Sequence, residues 1–154
     1  MSSSLIEFEQ NNGDVTRVKP ASGLPVVLGL APVGSKITTE IFDFAAIAAA
    51  TVSALGDCTV VDLSTNPRTL SLTVEVTYNA AATRGVVIHV RSSADNVNYD
   101  TIDWDTWSPI FTPGVAIRQT KNYDVDPYGI KVLVENLDPA QTITAVRVLA
   151  TVGA

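Results

Sequence analysis

Alternation of apolar and polar positions is the dominant pattern along this chain. Thr69 to Tyr78 shows it most clearly. Leu70, Leu72, Val74, Val76 and Tyr78 fall on one side, and Thr69, Ser71, Thr73, Glu75 and Thr77 on the other. Period two over ten residues predicts a strand with one face on a core and one in water. Val86 to Ser92 repeats the pattern, with Val86, Ile88 and Val90 opposite Val87, His89 and Arg91. Ile130 to Glu135 places Ile130, Val132 and Val134 inward, and Ile143 to Val152 places Val146, Val148 and Ala150 opposite Arg147. Weaker alternation predicts strands over Ile37 to Phe44, Cys58 to Leu63 and Val115 to Tyr123, with a further strand from Tyr99 to Trp104 inside an Asp- and Asn-rich stretch.

Turn signals separate these runs. Ser64-Thr65-Asn66-Pro67, Pro113-Gly114 and Asn136-Leu137-Asp138-Pro139 combine residues that initiate turns with a proline or glycine that ends regular structure. Ala45 to Leu55 pulls two ways. Its alanines favour a short helix capped by Asp43 and ended by Gly56, whereas Thr51, Val52 and Ser53 oppose one. The balance favours an irregular connection. Seven or eight short strands without intervening helices exclude a parallel α/β sheet. They predict an all-β fold, an antiparallel β-sandwich of jelly-roll-like or Ig-like type over residues 37–154.

Residues 1–36 follow a different pattern. Pro20, Pro25 and Pro32, with Gly13, Gly23, Gly29 and Gly34, defeat both a helix and a central strand. The stretch nevertheless contains Leu24, Val26, Val27, Leu28 and Leu30. A solvated linker has no need of these residues. The segment is read as an extended N-terminal arm whose apolar stretch docks either along its own domain or on a neighbouring subunit, and these five residues are its candidate partner-binding positions.

Composition sharpens this picture. Val, Thr and Ile make up 48 of the 154 residues, while Lys and Glu number only 4 and 5. Stiff β-branched side chains suit a pleated sheet, and two strong helix formers are scarce. A net charge of −6 disfavours polyanionic partners, both nucleic acid and anionic membrane. The basic residues form no block. The start, Met1 to Glu9, has neither the basic residues nor the apolar run of a secretory signal. The most apolar stretch, Ile41 to Gly56, carries Asp43 and is short for a bilayer span.

Candidate chemistry is sparse. His89 is the only histidine and lies mid-strand, which suits a half-exposed structural residue better than a general base. Cys58 follows Asp57, which does not favour a thiolate, and reads as a small core residue. Asp95, Asn96, Asn98, Asp100, Asp103 and Asp105 carry oxygen ligands suited to calcium. They lack an EF-hand's turn glycine and terminal glutamate, so turn formation is the simpler reading. Two acidic residues on a cleft would suit glycoside hydrolysis, but no other feature points to a substrate cleft. No G-x-S-x-G elbow and no glycine-rich phosphate loop is present. The expectation is therefore a non-enzymatic protein with no cofactor and no metal site. Tyr99, Trp104 and Trp107 are concentrated in one region, where they either fill a core or subunit interface or present faces on which sugars stack.

One stretch resembles a known group. Thr69 to Thr77 is followed by Val86-Val87-Ile88-His89-Val90-Arg91 and then Ser93-Ala94-Asp95-Asn96-Val97-Asn98-Tyr99-Asp100, with Val146-Arg147-Val148 closing the chain. From about Ile37 onward this order resembles small β-sandwich virion structural proteins of tailed bacteriophages. In these, a strand runs into a Ser-x-Asp-Gly-x-Asn-aromatic-Asp turn. Asn96 stands where that turn has glycine, and asparagine tolerates the left-handed conformation. The resemblance implies a virion component of capsid-decoration, neck or tail type. Such a component is made in a host cytoplasm and assembles as a homo-oligomer and with other virion proteins. A carbohydrate- or cell-surface-binding module is the alternative.

Overall fold

The computed structural model describes residues 16–18, 26–28, 36–65, 67, 69–125 and 127–153. Two units separate, Met1–Ser35 and Lys36–Ala154. In the first, strand β1 (Thr16–Val18) pairs antiparallel with β2 (Val26–Leu28), with Arg17 opposite Val27. Val26, Val27 and Leu28 thus lie on a short strand, while Leu24 and Leu30 fall outside the described residues.

The second unit contains β3 (Ile37–Phe44), a 3₁₀ turn (Leu55–Asp57), β4 (Val61–Asp62), β5 (Thr69–Thr77), β6 (Val86–Ser93), β7 (Asp105–Trp107), β8 (Ala116–Tyr123), β9 (Gly129–Asn136) and β10 (Ala145–Gly153). Two four-stranded antiparallel sheets form, with orders β3-β10-β5-β8 and β4-β9-β6-β7. The pairings are nested. β3 pairs with β10, β4 with β9, β5 with β8, and β6 with β7. This unit is in effect one long hairpin wrapped on itself, the order of the eight-stranded jelly roll. The all-β antiparallel sandwich is therefore present, in its jelly-roll form.

The core is where the two alternating faces meet. Leu70, Leu72, Val74 and Val76 of β5 face Val86, Ile88 and Val90 of β6. Ile130, Val132 and Val134 of β9 and Val146, Val148 and Ala150 of β10 complete it, all at most 2% exposed. Burying each of the larger of these side chains contributes roughly 1.5–3 kcal/mol. β3 carries a bulge. Val148 pairs with Phe42 and Leu149 with Glu40, so Ile41 is the extra residue, and both Ile41 and Phe42 turn inward.

Several element boundaries depart from the sequence expectation. The strand expected over Tyr99 to Trp104 forms instead at Asp105–Trp107, because Asp100 and Asp103 are drawn back onto β6 by Ser92, His89 and Arg91. Of Cys58 to Leu63 only Val61–Asp62 is strand. Thr59 N–H instead donates to the carbonyl that the bulge frees at Ile41, at 2.8 Å. The last strand begins at Ala145, since Ile143 forms an isolated bridge with Ile47. Ala45 to Leu55 is irregular, as expected, and the 3₁₀ turn starts only at its last residue.

The nested topology sorts the loops into two groups. The β4–β5, β6–β7 and β8–β9 connections gather at one end, where Asn96 Nδ2 donates to Asp62 Oδ1 at 2.9 Å. The other four lie at the opposite end, where Asn136 and Asp138, 1% and 2% exposed, bond to the β3–β4, β5–β6 and β9–β10 connections. Asn136 Nδ2 lies 3.2, 3.0 and 2.9 Å from the carbonyls of Ile47, Ala48 and Gln141. Asp138 accepts five hydrogen bonds, from Thr83 N–H, Thr83 Oγ1, Arg84 N–H, Ala140 N–H and Gln141 N–H.

Candidate functional site

The polar side chains singled out in the sequence are tied up locally. His89 sits on the outer face of β6. Its Nδ1 is 2.8 Å from Asp103 Oδ2 and its Nε2 is 3.0 Å from Glu135 Oε2. Arg91 Nε approaches Asp103 Oδ1 at 2.7 Å. Burial pushes the Asp103 carboxyl up, but the hydrogen bond and charge of His89 and the Arg91 guanidinium pull it further down, so it stays below the usual aspartate range. Each ring nitrogen faces a carboxylate, so the ring is held from both sides. His89 acts as a clasp between the β6–β7 loop and β9.

The acidic stretch does not converge. Asp95 faces its own turn, accepting from Val97 N–H at 2.9 Å and Asn98 N–H at 2.7 Å, and bonding Asn98 Nδ2 and Ser93 Oγ. The Asn98 backbone N–H leads in holding its carboxyl well below the usual range. Asn96 adopts φ +59, the left-handed conformation this turn requires. Its side chain lies over Gly129, where an added Cβ would meet Asn96 Oδ1. Asp100 accepts from Ser92 Oγ at 2.6 Å. Asp105 points between the sheets, binding Lys121 Nζ at 2.6 Å and the Tyr123 hydroxyl at 2.9 Å. Burial raises the Tyr123 hydroxyl and the bond to Asp105 raises it further. Among the described residues, no group of three His, Cys, Asp or Glu could hold a metal ion, and no helix is long and apolar enough to cross a membrane.

Cys58 is 3% exposed and fills a gap in the β9 edge, where its Sγ accepts from Val132 N–H at 3.1 Å. Burial pushes its thiol up, against the lowering effect of that bond. The small-core-residue reading holds, with a backbone-satisfying role added to it.

The three candidate aromatics part company. Trp107 packs against the core. Tyr99 bridges to Ser93 and places its ring 5.4 Å from Lys131 Nζ. Trp104 is 37% exposed and braced from behind by Tyr123, with ring centroids 5.5 Å apart. Two adjoining depressions of about 410 and 300 Å³ share Ser92, Asp100 and Trp104. Pro127 and Tyr128 line the larger one, and Tyr128 is 48% exposed. Sequence reading did not single out Tyr128, since it follows a proline and precedes a glycine and reads there as turn punctuation.

No family model matches the chain, and no curated protein matches it. Among solved structures, the chain is similar to a protein of Bacillus endospore appendages, described as disulfide-linked pili. That match has 14% identity and a TM-score of 0.41, and covers 79% of this chain and 91% of that one. It is also similar to the VP2 subviral particle of infectious bursal disease virus, at 11% identity and a TM-score of 0.45, covering 91% of this chain and 38% of that one.

Proposed function

We propose that this chain is a non-enzymatic structural building block of a virion. It assembles with copies of itself and with other capsid or tail proteins through its sandwich faces and the arm of residues 1–36. One observation carries this reading: the side chains with chemical potential are consumed in the fold. His89, Asp95, Asp103, Asp105 and Cys58 each hold a loop or an edge in place. What remains for function is surface, and the apolar residues Leu24, Val26, Val27, Leu28 and Leu30 of the arm are the contact residues of this reading. Ordering such a segment costs roughly 1–2 kcal/mol per residue, which burial against a partner offsets. Native mass measurement of the full chain tests the reading, with an oligomer as the expected result. Residues 37–154 alone should stay folded and assemble more weakly than the full chain, since the sandwich surfaces remain and the arm is gone. A full chain that is monomeric at every concentration refutes the building-block role, and a truncation that assembles fully refutes the role of the arm.

A second reading is favoured by the depression around Trp104. An exposed aromatic face beside Tyr128, Asp100 and Ser92 combines apolar stacking with hydrogen-bonding groups, the combination that holds a saccharide. A glycan array tests it. Binding that Trp104→Ala abolishes supports a carbohydrate-binding module, and silence across the array ends that reading.

A further inference from the structure

The sheet β3-β10-β5-β8 ends in two eight-residue strands that each have one partner. Among the described residues, β3 pairs only with β10 and β8 only with β5. An edge of this kind is a row of unmatched N–H and C=O groups, and proteins usually blunt it. Here the blunting is partial: on β3 the Ile41 carbonyl accepts from Thr59 N–H at 2.8 Å, and the other devices are used elsewhere. The inward charge on β8, Lys121, is neutralised by Asp105 at 2.6 Å. The β3 bulge sits at Ile41 and leaves Ile37 to Glu40 in regular register.

The two edges are complementary. One outer-face row runs Asp43, Arg147, Glu75, Arg118 across β3, β10, β5 and β8. Its signs alternate, with Arg147 Nη2 2.7 Å from Glu75 and Arg118 Nε 3.3 Å from Glu75. The row starts on an acid and ends on a base, and Arg118 is 67% exposed. Three antiparallel steps separate β3 from β8, so the two edges run in opposite directions. A second copy that lays its β3 beside this β8 therefore continues both the strand alternation and the charge alternation. The same placement sets Thr38 beside Asn122, residues that end another row. It also covers Ile37, which is 65% exposed, with Tyr123.

We propose that copies of this chain join edge to edge, β8 of one against β3 of the next, and so extend this sheet from molecule to molecule. The inference rests on the building-block reading and specifies the partner and the register. The contact is head-to-tail, so repetition gives a ring or an open filament according to the twist per copy.

The test uses the full chain. Arg118→Glu alone and Asp43→Arg alone each place like charges across the junction and should weaken self-association by about tenfold or more. Mixing the two variants in equal amounts should restore assembly, because alternating copies then oppose unlike charges at every junction. A second variant carries Thr38→Cys and Asn122→Cys together. Within one chain these positions are three strand spacings apart, about 14 Å, beyond the reach of a disulfide. Oxidation should therefore give a ladder of covalent multimers on a non-reducing gel. A wild type that assembles, together with a mixture that restores nothing and a double-cysteine variant that stays monomeric, overturns the edge junction and leaves the building-block reading standing. A wild type that does not assemble overturns both.

Discussion

Asn136→Ala should be among the most damaging single substitutions in the domain. The Asn136 side chain is 1% exposed, and its amide donates towards the carbonyls of Ile47, Ala48 and Gln141 while its Oδ1 accepts from Asp138 N–H at 3.0 Å. Two N–H groups serve three carbonyls, so at least three good bonds disappear with the side chain. At about 1 kcal/mol net each, with stranded carbonyls adding to the cost, the loss comes to about 3–4 kcal/mol. For a domain of this size that lowers the melting temperature by roughly 10–15 °C. Urea unfolding followed by tryptophan fluorescence measures it, since Trp107 packs on the core. Asn136→Asp is the sharper variant. It keeps the shape but turns a carboxylate towards carbonyl oxygens, and it should cost at least as much. Ser71→Ala serves as the control. It removes a bond to Asn122 that lies on the exposed face, and should change stability by less than about 0.5 kcal/mol. If Asn136→Ala costs less than about 1 kcal/mol with an unchanged urea slope, Asn136 does not hold the β3–β4 and β9–β10 connections together and the reasoning fails.

Acid should destabilise the fold. The Asp138 carboxyl is held low first by Thr83 N–H and then by Ala140 N–H, and that of Asp95 first by Asn98 N–H. Their stabilising effect is complete above the unfolded aspartate value of about 3.9 and is lost as pH falls through the lower folded values. Melting temperature should therefore be level near neutrality and drop below about pH 4, and Asp138→Asn should lower it at pH 7 while flattening the acid dependence. Cys58 should resist a thiol reagent in buffer and react at once in concentrated urea. Cys58→Ala, which strands Val132 N–H, should cost about 1–3 kcal/mol by the same unfolding assay. Gly129→Ala should destabilise by about 1–3 kcal/mol through collision with Asn96. Adding Asn96→Ala should recover part of that loss, and strict additivity of the two would show that the residues do not touch.

The parts of the fold legible in the sequence are those in which one strand face is uniformly apolar. In β5, β6, β9 and β10 the apolar side of the alternation is the buried side, and boundaries fall within one or two residues of expectation; Thr73, on the side of β5 expected in water, is buried as well and bonds Thr120. The inner side of β8 reads Ile117, Gln119, Lys121, Tyr123, and its polar members pair with the β7 side of the opposite sheet, so periodicity carries less information there. β7 was displaced for a related reason. Its inward residues are Asp105 and Trp107, and an aspartate facing a partner on another sheet looks like loop from the sequence alone. The loop hub was readable as a turn but not as a hub, since Asn136 binds Ile47 across 89 residues and Asp138 binds Thr83 across 55. His89 was readable as structural, while its two carboxylates, 14 and 46 residues away, were not.

The nested topology explains why so many acidic and amide side chains of this domain are tied up in its loops. A jelly roll brings seven connections to its two ends, and each connection exposes backbone groups that must find partners. Here those partners are side chains of acidic and amide residues, such as Asp95, Asn136 and Asp138, which are therefore fixed by the fold. Closing the sandwich also requires edges, because four strands per sheet do not form a barrel. One sheet has short edges, β4 of two residues and β7 of three, with the β4 side extended by Ser53 and Cys58 bonding to β9. The other keeps two eight-residue edges of opposite charge at the ends of a single alternating row. Folding satisfies Asp95, Asn136 and Asp138 at the ends of the sandwich. It leaves β3 and β8 each with one partner strand among the described residues, and those are the edges that the proposed β8-to-β3 junction would join.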